Sequence, residues 1–589
     1  MIALFAVTAA GRRAAEEVAA ALGPGAEIRG LDELPALWPR LDGAVFFLAA
    51  GATVRLVAPL LADKRTDPGV VCVDEARRFA VALAGGHGGG ANALAARVAA
   101  VLGAQPVITT ASDAAGTTGL DELVELLGAT VDGDLAAAGT ALLDGAARIE
   151  NPLGFPLPPL PVPPGPEQGA PASAGSGQRH PVAVRHTVVI TDRVRPAAGP
   201  PDGGVDTTSG GPVTRLVPPT LVVGIGSARG VPAGAVRAAL ARLESERGFD
   251  PRAVRAYASV DLKAAEAGIL AAIAPAPLRT YPAGVLAAVA VPNPSEVVRA
   301  EVGTPSVAEA AALHTAAELG GGAPVELVVE KLKGDNVTVA AARIRPRGRL
   351  AIVGLGPGAA DLRSPRAEAE LRRASVVVGL DQYVDQVEHL LRPGTEVRAS
   401  GLGDEEQRAA EAADLAASGL SVALIGSGDA GVYAMGSPAL QRAGTDVEVV
   451  GVPGVTAALA AAALLGAPLG HDHVMISLSD LHTPWPVIER RVAAAAEADL
   501  VTCFYNPRSR ERHWQLGAAI DLLRAHRPPS TPVGVVRQAE RPGQRVWTAP
   551  IAQFDPGTVD MLTTVVVGSS ATRLVAGRMV TPRGYRWDD

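Results

Sequence analysis

Cysteine is scarce in this chain, since 589 residues contain only Cys72 and Cys503. Two thiols so far apart in the sequence cannot supply a disulfide framework or a cysteine-based zinc site, so a reducing compartment is expected. Aromatic residues make up only 3% of the chain, so its cores must rely on alanine, valine and leucine.

Long basic runs and long apolar runs are also missing. The chain has 53 Lys and Arg against 61 Asp and Glu, a net charge of −8, which lacks the electrostatic footprint of a nucleic-acid partner. The most apolar stretch, 455–470, is interrupted by Gly and Pro and is shorter than the roughly 20 residues that span a bilayer. We expect a cytoplasmic protein without a membrane or nucleic-acid partner.

The hydrophobic content, 48%, is nevertheless ample for buried cores. Short β-branched runs alternate with helical runs rich in Ala, Leu and Arg, which predicts an α/β fold class with several α/β domains and largely parallel strands. The pattern divides the chain into regions 1–150, 218–346 and 347–589. Between them, 151–217 is dense in Pro, Gly and Ser and is predicted to be a mostly flexible linker, with only 182–191 apolar enough for a strand.

The strongest local signal is the turn Gly-Leu-Gly-Pro-Gly at 354–358, which follows a predicted strand and precedes a predicted helix. Such glycines allow a ligand to approach the backbone closely. A dinucleotide loop is disfavoured because Pro357 stiffens the turn and the third glycine of the fingerprint is misplaced. By itself the turn leaves open a plain tight turn, a cofactor loop and a nicotinamide oxidoreductase.

Three further segments pair a strand end with a turn that could hold a ligand, at 423–435, 449–470 and 501–512. With 354–358 and 561–570, in this order and spacing, they resemble the tetrapyrrole methylase family over about 348–589. The resemblance implies a two-subdomain α/β fold and S-adenosylmethionine as cofactor. It also implies a set of cofactor-binding residues, namely Pro357, Gly358, Ser427, Gly428, Asp429, Val432, Thr456, Ala457, Asn506 and Ala539. The family's Gly-Asp-Pro turn has Ala430 in place of the proline, which predicts a looser turn.

The run Gly-His-Asp at 470–472, followed by Ile-Ser-Leu-Ser-Asp-Leu-His-Thr-Pro-Trp at 476–485, resembles the precorrin-3B C17-methyltransferase branch. That resemblance implies methylation at C17 with ring contraction. Ring contraction calls for an acid or base, and the ordinary pKa of histidine suits this role. The candidate catalytic groups are His471, Asp472, Asp480 and His482. The alternative is that these side chains only form hydrogen bonds with the backbone or with substrate carboxylates.

No metal site is predicted, because His471 and His473 lack a third ligand nearby. Four arginines could meet the carboxylates of a tetrapyrrole or could be solvated surface groups. They are Arg508, Arg510, Arg512 and Arg537.

Near the beginning of the chain, glycines surround His87 at a predicted strand-to-helix turn, where the imidazole and several N–H donors would be exposed to an oxyanion or a carboxylate. A lone histidine in a turn is usually structural, but this setting makes His87 a candidate catalytic group. Residues 43–113 and 221–344 resemble the two parts of cobalt-precorrin-5A hydrolase, which implies the opening of a lactone. Ser227 replaces a cysteine that is frequent in that family, so a covalent role there is disfavoured. Other polar candidates, mostly expected on helix surfaces, are Asp261, Lys263, Glu266, Glu309 and Lys331.

The interpretation is a bifunctional cobalamin-biosynthesis enzyme with a tetrapyrrole substrate and, by resemblance, a homodimer formed through the methylase domain. Its rivals are a methylase fused to a non-catalytic corrinoid-binding module, a methylase acting at another ring carbon, and the oxidoreductase.

Overall fold

The protein is described by a computed structural model. It describes the chain except 64–65, 87–88, 111, 113–114, 161–183, 195–210, 402, 510–511 and 586–589. The chain forms two units, one of Met1–Pro346 with Arg392–Gly394 and the other of Arg347–Leu391 with Thr395–Asp589.

The first unit contains three sheets in its described residues. Its strands are β1 (Ile2–Ala6), β2 (Ala26–Arg29), β3 (Gly43–Phe47), β4 (Gly69–Val73), β5 (Phe79–Ala84), β6 (Gln105–Val107), β7 (Thr130–Asp132), β8 (Ala147–Glu150), β9 (His186–Ile190), β10 (Val213–Val217), β11 (Leu221–Ser227), β12 (Val254–Val260), β13 (Leu278–Tyr281), β14 (Val325–Lys333) and β15 (Val337–Ile344). Their orders are β2-β1-β3-β4-β5-β6, β7-β10-β9-β8 and β13-β12-β11-β15-β14.

The helices of this unit cover the faces of its sheets. They are α1 (Ala9–Leu22), α2 (Leu34–Leu37), α3 (Ala50–Val57), α4 (Ala91–Leu102), α5 (Leu120–Leu127), α6 (Leu135–Leu143), α7 (Ala233–Ser245), α8 (Ala267–Ile273), α9 (Ala283–Ala287), α10 (Glu296–Val302) and α11 (Ala308–Gly320), with 3-10 segments at Leu31–Glu33, Trp38–Arg40, Pro251–Ala253 and Asp261–Lys263. Strand β3 is buried along its whole length, as expected for a run of apolar residues in a sheet covered on both faces.

The described parts of 151–217 contain β9, which lies in the apolar stretch predicted to form a strand, and β10, which the linker prediction did not include. Strands β9 and β10 lie within 151–217 and pair with each other and with β8 and β7. Phe155 and Leu157 pack against the core of that same sheet. The β-branched and apolar side chains explain this order, because they bury apolar surface that a proline-rich composition alone does not reveal.

The second unit contains two five-stranded sheets and a small three-stranded one in its described part. The strands are β16 (Gly348–Gly354), β17 (Val376–Leu380), β18 (Glu396–Ser400), β19 (Ser421–Gly426), β20 (Val447–Val452), β21 (Gly466–Ala467), β22 (His473–Ser477), β23 (Val501–Tyr505), β24 (Pro532–Arg537), β25 (Arg545–Pro550), β26 (Thr563–Val567), β27 (Arg573–Val575) and β28 (Arg578–Val580). The helices are α12 (Pro365–Arg373), α13 (Asp381–Val384), α14 (Glu405–Ala417), α15 (Gly436–Arg442), α16 (Ala457–Leu465), α17 (Trp485–Glu497) and α18 (Gln515–Arg524), with 3-10 segments at Ala360–Leu362, Glu388–Leu390 and Pro556–Thr558.

The first sheet of this unit has the order β18-β17-β19-β16-β20, and every pairing is parallel. Helix α12, which follows β16, packs on one face of the sheet, whereas α15, which follows β19, packs on the other. The chain therefore leaves these two neighbouring strands toward opposite faces. In α/β sheets such a switch point opens a crevice at the carboxyl ends of the strands.

The second sheet, β22-β23-β26-β24-β25, is mixed. Strands β22, β23 and β24 run in the same direction, so their carboxyl ends lie at one edge. The predicted α/β class with several domains is confirmed. In the described ranges, no helix combines the length and the apolar character needed to cross a membrane.

Candidate functional site

Two glycine turns meet at the switch point between β16 and β19. The Gly356 amide donates to the Gly428 carbonyl at 3.0 Å, and the Gly428 amide donates to the Gly356 carbonyl at 2.8 Å. Both residues have positive φ, 79° and 67°, which favours glycine. The predicted turns at 354–358 and 427–429 are therefore joined by a two-bond backbone bridge.

A third loop, which follows β20, packs against both turns through Gly454. A Cβ on Gly454 would lie 2.1 Å from the Gly428 carbonyl oxygen and 2.8 Å from the Gly354 carbonyl carbon. Since these contacts are with backbone, no side-chain movement could relieve them. Glycine at this position is what lets the three loops meet.

Asp429 ties the second turn to the third loop. Its Oδ1 accepts from the Gly431 amide at 2.8 Å, and its Oδ2 accepts from the Gly454 amide at 3.1 Å. Ala430, where the family has proline, is buried directly after this carboxylate. The expected loosening is countered here by these two hydrogen bonds and by the bridge between the turns.

The amino end of α16 is capped by a tyrosine from the second sheet. Thr456, the residue before the helix, makes no capping bond, and its hydroxyl lies 2.6 Å from the Tyr505 hydroxyl instead. The Tyr505 oxygen accepts from the Ala458 amide at 2.9 Å. Burial raises the pKa of Tyr505, although the bond to Thr456 opposes this, so the phenol is neutral at physiological pH.

A second tyrosine extends this contact between the two sheets. The Tyr433 hydroxyl donates to the Met475 carbonyl at 2.7 Å, and the rings of Tyr433 and Tyr505 lie 5.2 Å apart. Sequence reasoning missed both tyrosines, although Tyr505 immediately precedes the predicted Asn506 and could have been noticed for that reason.

Asn506 and Ala539 lie at the shared carboxyl edge of the second sheet, after β23 and β24 respectively. The Asn506 amide nitrogen Nδ2 donates to the Ser477 hydroxyl at 3.1 Å. Eight non-glycine residues of the described chain have positive φ, and four of them lie around these loops: Tyr433, Asn506, Gln538 and Glu540. Uncommon backbone conformations of this kind cluster at functional sites.

The four candidate acid-base groups are not brought together. Asp480 and His482 follow β22, whereas His471 and Asp472 precede it, so the strand separates the two pairs by about 13 Å along its axis. Asp480 accepts from the Gln515 side chain at 2.8 Å, and His482 is exposed. His471 and Asp472 are bonded to each other at the opposite edge, where the Asp472 amide donates to Nδ1 of His471.

Three of the four predicted arginines are described, and they lie near the carboxyl edge of the second sheet. Arg508 donates to the Gly557 carbonyl at 3.1 Å, and Arg512 donates to the Asn506 carbonyl at 3.3 Å. Arg537 pairs with Asp560 at 2.7 Å. Arg510 lies outside the described residues.

A groove of about 480 Å³ opens beside the pair of Arg537 and Asp560, and Arg545 and Trp547 also line it. Burial alone would raise the pKa of Asp560, but the hydrogen bonds from Thr563 and Arg537 lower it overall. The groove is therefore bordered by two arginines, one ionised carboxylate and an indole.

In the first unit, His87 lies outside the described residues. The loops beside it are held together by close backbone packing, since a Cβ on Gly89 would lie 2.8 Å from the Asp67 carbonyl. The Asn92 amide nitrogen donates to the Thr110 hydroxyl at 3.0 Å.

The polar candidates of 221–344 differ in their exposure. Glu309 is fully buried rather than on a helix surface, and it accepts from Asn293 Nδ2 at 2.8 Å and from the Lys331 amide at 3.0 Å. Lys263 pairs with Glu266 at 3.0 Å. These partners satisfy the charges and indicate mainly structural roles. The hydroxyl of Ser227 is buried without a hydrogen-bond partner among the described residues.

Both cysteines are buried, and burial raises their pKa values, that of Cys503 to about 12. Neither thiol ionises at neutral pH, so neither is poised as a nucleophile. Within the described residues, no cluster of three or more His, Cys, Asp or Glu side chains could hold a metal ion.

Residues 349–555 match the tetrapyrrole (corrin/porphyrin) methylases, which places the second unit in a class of methyltransferases. Residues 32–113 match the cobalamin synthesis G N-terminal family, and 221–342 match the cobalamin synthesis G C-terminus.

The "Probable cobalt-factor III C(17)-methyltransferase" of Salmonella typhimurium is 47% identical over 242 residues, 40% of this chain and 99% of that protein. The "Precorrin-3B C(17)-methyltransferase" of Sinorhizobium sp is 42% identical over 249 residues, 40% of this chain and 97% of that protein. The crystal structure of the methyltransferase CobJ is 37% identical and has a TM-score of 0.38, covering 40% of this chain and 100% of that one. Several other curated relatives are longer, and the chain spans about half of each.

The chain therefore belongs to the tetrapyrrole methylases through its C-terminal unit, and it also carries both cobalamin synthesis G regions. The predicted family resemblance is confirmed on all three regions.

Proposed function

We propose that this chain methylates C17 of a tetrapyrrole during cobalamin biosynthesis, with S-adenosylmethionine as the methyl donor. The observation that carries the proposal is the pair of bridged glycine turns at the switch point, within a unit 47% identical to a probable C17-methyltransferase. The natural substrate is then a precorrin-3B or a cobalt-factor III.

The residues at the switch point fit this donor, which joins a nucleoside to a zwitterionic amino acid. Asp429 provides a carboxylate and Arg541 a guanidinium, while Thr456 and Asn506 provide neutral polar groups nearby. When bound there, the donor supplies an electrophilic methyl group. The chain's own residues then have to bind, orient and exclude water, because methyl transfer depends mainly on positioning.

Asp429 orients the second turn by accepting two backbone N–H groups, and Tyr505 fixes the start of α16 beside it. In our proposal, Pro357, Gly358, Ser427 and Val432 surround the amino-acid part of the donor, and Thr456, Ala457, Asn506 and Ala539 surround the nucleoside.

For proton transfer during ring contraction, we assign Asp480 and His482 in preference to His471 and Asp472. The first pair lies at the same sheet edge as Asn506 and Ala539, whereas the second lies at the far edge. The hydrogen bond from Gln515 holds the Asp480 carboxylate in place, and the exposed His482 is free to meet a substrate at that edge.

The direct test is incubation of the purified chain with methyl-labelled donor and either precorrin-3B or cobalt-factor III. We expect one label per macrocycle, located at C17 by NMR, and stoichiometric S-adenosylhomocysteine. A label at another ring carbon would contradict the C17 assignment, and reduced-nucleotide binding without methyl transfer would favour an oxidoreductase.

For the first unit we propose lactone hydrolysis on a cobalt-precorrin-5A, in which His87 activates water. Water adds to the lactone carbonyl and the lactone C–O bond breaks, which gives a carboxylate and an alcohol on the two-carbon branch. Loss of the alcohol proton then lets the C–C bond to the macrocycle break: the two carbons leave as an aldehyde, and the electron pair of that bond takes up a proton at the ring carbon. Both matched regions, 32–113 and 221–342, support this proposal. Ser227 is compatible with it, because activated water needs no thiol nucleophile.

Replacing His87 with alanine should lower acetaldehyde release at least about 100-fold, as expected for the loss of a general base, and leave methylation unchanged. The measurement is aldehyde yield from lactone-bearing cobalt-precorrin, with the exposed His389→Ala as the matched control. Equal yields from His87→Ala and the unchanged chain would remove His87 from the mechanism. No aldehyde from either would favour a non-catalytic corrinoid-binding module.

The covalent connection of the two activities would raise the effective concentration of one site for a product of the other. We also propose a cytoplasmic homodimer formed through the methylase unit, on the ground of the family resemblance.

A further inference from the structure

Arg541 lies on the turn that follows β24 and reaches across to both glycine turns of the first sheet. Its Nε donates to the Pro357 carbonyl at 2.5 Å, and its Nη2 donates to the Ser427 hydroxyl at 2.6 Å. The turn is itself held by backbone bonds, from the Arg541 amide to the Gln538 carbonyl and from the Gln544 amide to the Arg541 carbonyl. The guanidinium is therefore presented from a defined backbone position.

Gly358 makes room for this side chain. A Cβ on Gly358 would lie 2.4 Å from Cγ of Arg541 and 2.8 Å from its Nε. The arginine thus packs directly on the glycine-rich turn, and any larger residue at 358 would displace it.

The hydrogen-bond partners of Arg541 are neutral. Among the residues that the structure describes, the guanidinium bonds one carbonyl and one hydroxyl, and it forms no ion pair with a carboxylate. A guanidinium offers five N–H donors in a planar fork that matches a carboxylate, and only two of its nitrogens are engaged here. A half-buried cation in this state can exchange a neutral acceptor for an anionic one and form a stronger, charge-assisted hydrogen bond.

We propose that Arg541 forms a carboxylate subsite between the two glycine turns and binds the α-carboxylate of the methyl donor. This inference rests on the proposed methyltransferase function. Asp429, two residues after Ser427, has one backbone bond on each oxygen and keeps acceptor capacity for the donor's ammonium group. Arg541 and Asp429 then provide opposite charges for a zwitterionic amino acid.

A tetrapyrrole also carries carboxylates, so the same guanidinium chemistry has two possible ligands. The position of Arg541 favours the donor, because both of its partners belong to the turns at 354–358 and 427–429 rather than to the loops after β22 and β23. The experiment therefore includes one arm for each source of the carboxylate.

The test compares S-adenosylmethionine with its decarboxylated analogue by titration calorimetry on the full-length chain and on Arg541→Gln. For the unchanged chain, we expect loss of the carboxylate to raise Kd about 30-fold, the value of one charge-assisted hydrogen bond. Arg541→Gln should raise Kd for S-adenosylmethionine by about the same factor and leave Kd for the analogue within about threefold. For Arg541→Lys, we expect a Kd for S-adenosylmethionine between those of the unchanged chain and Arg541→Gln. The exposed Arg442→Gln is the matched control.

Unchanged Kd for S-adenosylmethionine in Arg541→Gln would overturn the subsite. Equal weakening of both ligands would also overturn it, since Arg541 would then only brace the turns. A raised KM for the tetrapyrrole with unchanged nucleoside affinities would assign the arginine to the macrocycle instead. If the unchanged chain bound neither nucleoside, the proposed function itself would fail, and that outcome is distinct from the other three.

Discussion

Replacing Gly454 with alanine should abolish detectable methyl transfer and raise Kd for S-adenosylhomocysteine more than about 100-fold. The added methyl would lie 2.1 Å from the Gly428 carbonyl oxygen, well inside any real contact distance. Since the neighbours are backbone atoms of two other glycine loops, the loops must separate. Overpacking of this kind also destabilises a protein by about 1–3 kcal/mol.

Gly451→Ala is the matched control, because nothing lies within 4 Å of the Cβ that it would add and its φ is not positive. Gly451 lies in β20, three residues before Gly454 in the following loop. We expect its methylation rate and its affinity for S-adenosylhomocysteine to stay within about twofold of the unchanged chain. Normal binding by Gly454→Ala would show that the three loops do not form the donor site.

Replacing Asp429 with alanine should weaken S-adenosylhomocysteine binding about 100-fold while leaving the unit folded. The substitution removes two charge-assisted bonds, to Gly431 and Gly454, each contributing about 1.5–3 kcal/mol, and only part of that loss reaches the ligand. Kd comes from calorimetry, and the thermal unfolding midpoint measures the accompanying stability loss.

Asp446→Ala, an exposed change in the same unit, separates the effect at this site from a general loss of charge. The Kd of Asp429→Asn for S-adenosylhomocysteine should lie between those of Asp429→Ala and the unchanged chain, because the asparagine side chain keeps one carbonyl oxygen as acceptor. Identical titration curves for Asp429→Ala and the unchanged chain would contradict the assignment of this turn to the donor.

Local patterns in the sequence predicted the elements that carry the site. The glycine-rich turn at 354–358 follows a strand as expected, and the turn at 427–429 follows another. Local patterns did not predict strands that form only by pairing with distant segments. Strand β10 is an example, because it lies in a Gly- and Ser-rich region and pairs with β9 and β7. Composition indicates the conformation that a segment prefers by itself, whereas strand pairing depends on a neighbouring strand from elsewhere in the chain.

The positions of the catalytic candidates also could not be predicted from local sequence patterns. The candidates His471, Asp472, Asp480 and His482 fall within 12 positions of one another in the sequence. Because β22 is extended, it places the two pairs at opposite edges of one sheet. Arg541 is more than 100 positions from its partners Pro357 and Ser427 in the sequence, and no local sequence pattern connects the three residues.

The sequence by itself determined the α/β class, the family and the glycine turns, because these depend on residue types at short, fixed spacings. Only the tertiary structure decided which side chains meet at those turns, with Tyr505 bonded to Thr456 and Arg541 set between Pro357 and Ser427. The physical reason is that hydrogen bonds and ion pairs act over a few ångströms. The turns at 354–358 and 427–429 meet because β16 and β19 are neighbouring parallel strands, whereas Tyr505 and Arg541 reach the site from loops and strands of the second sheet.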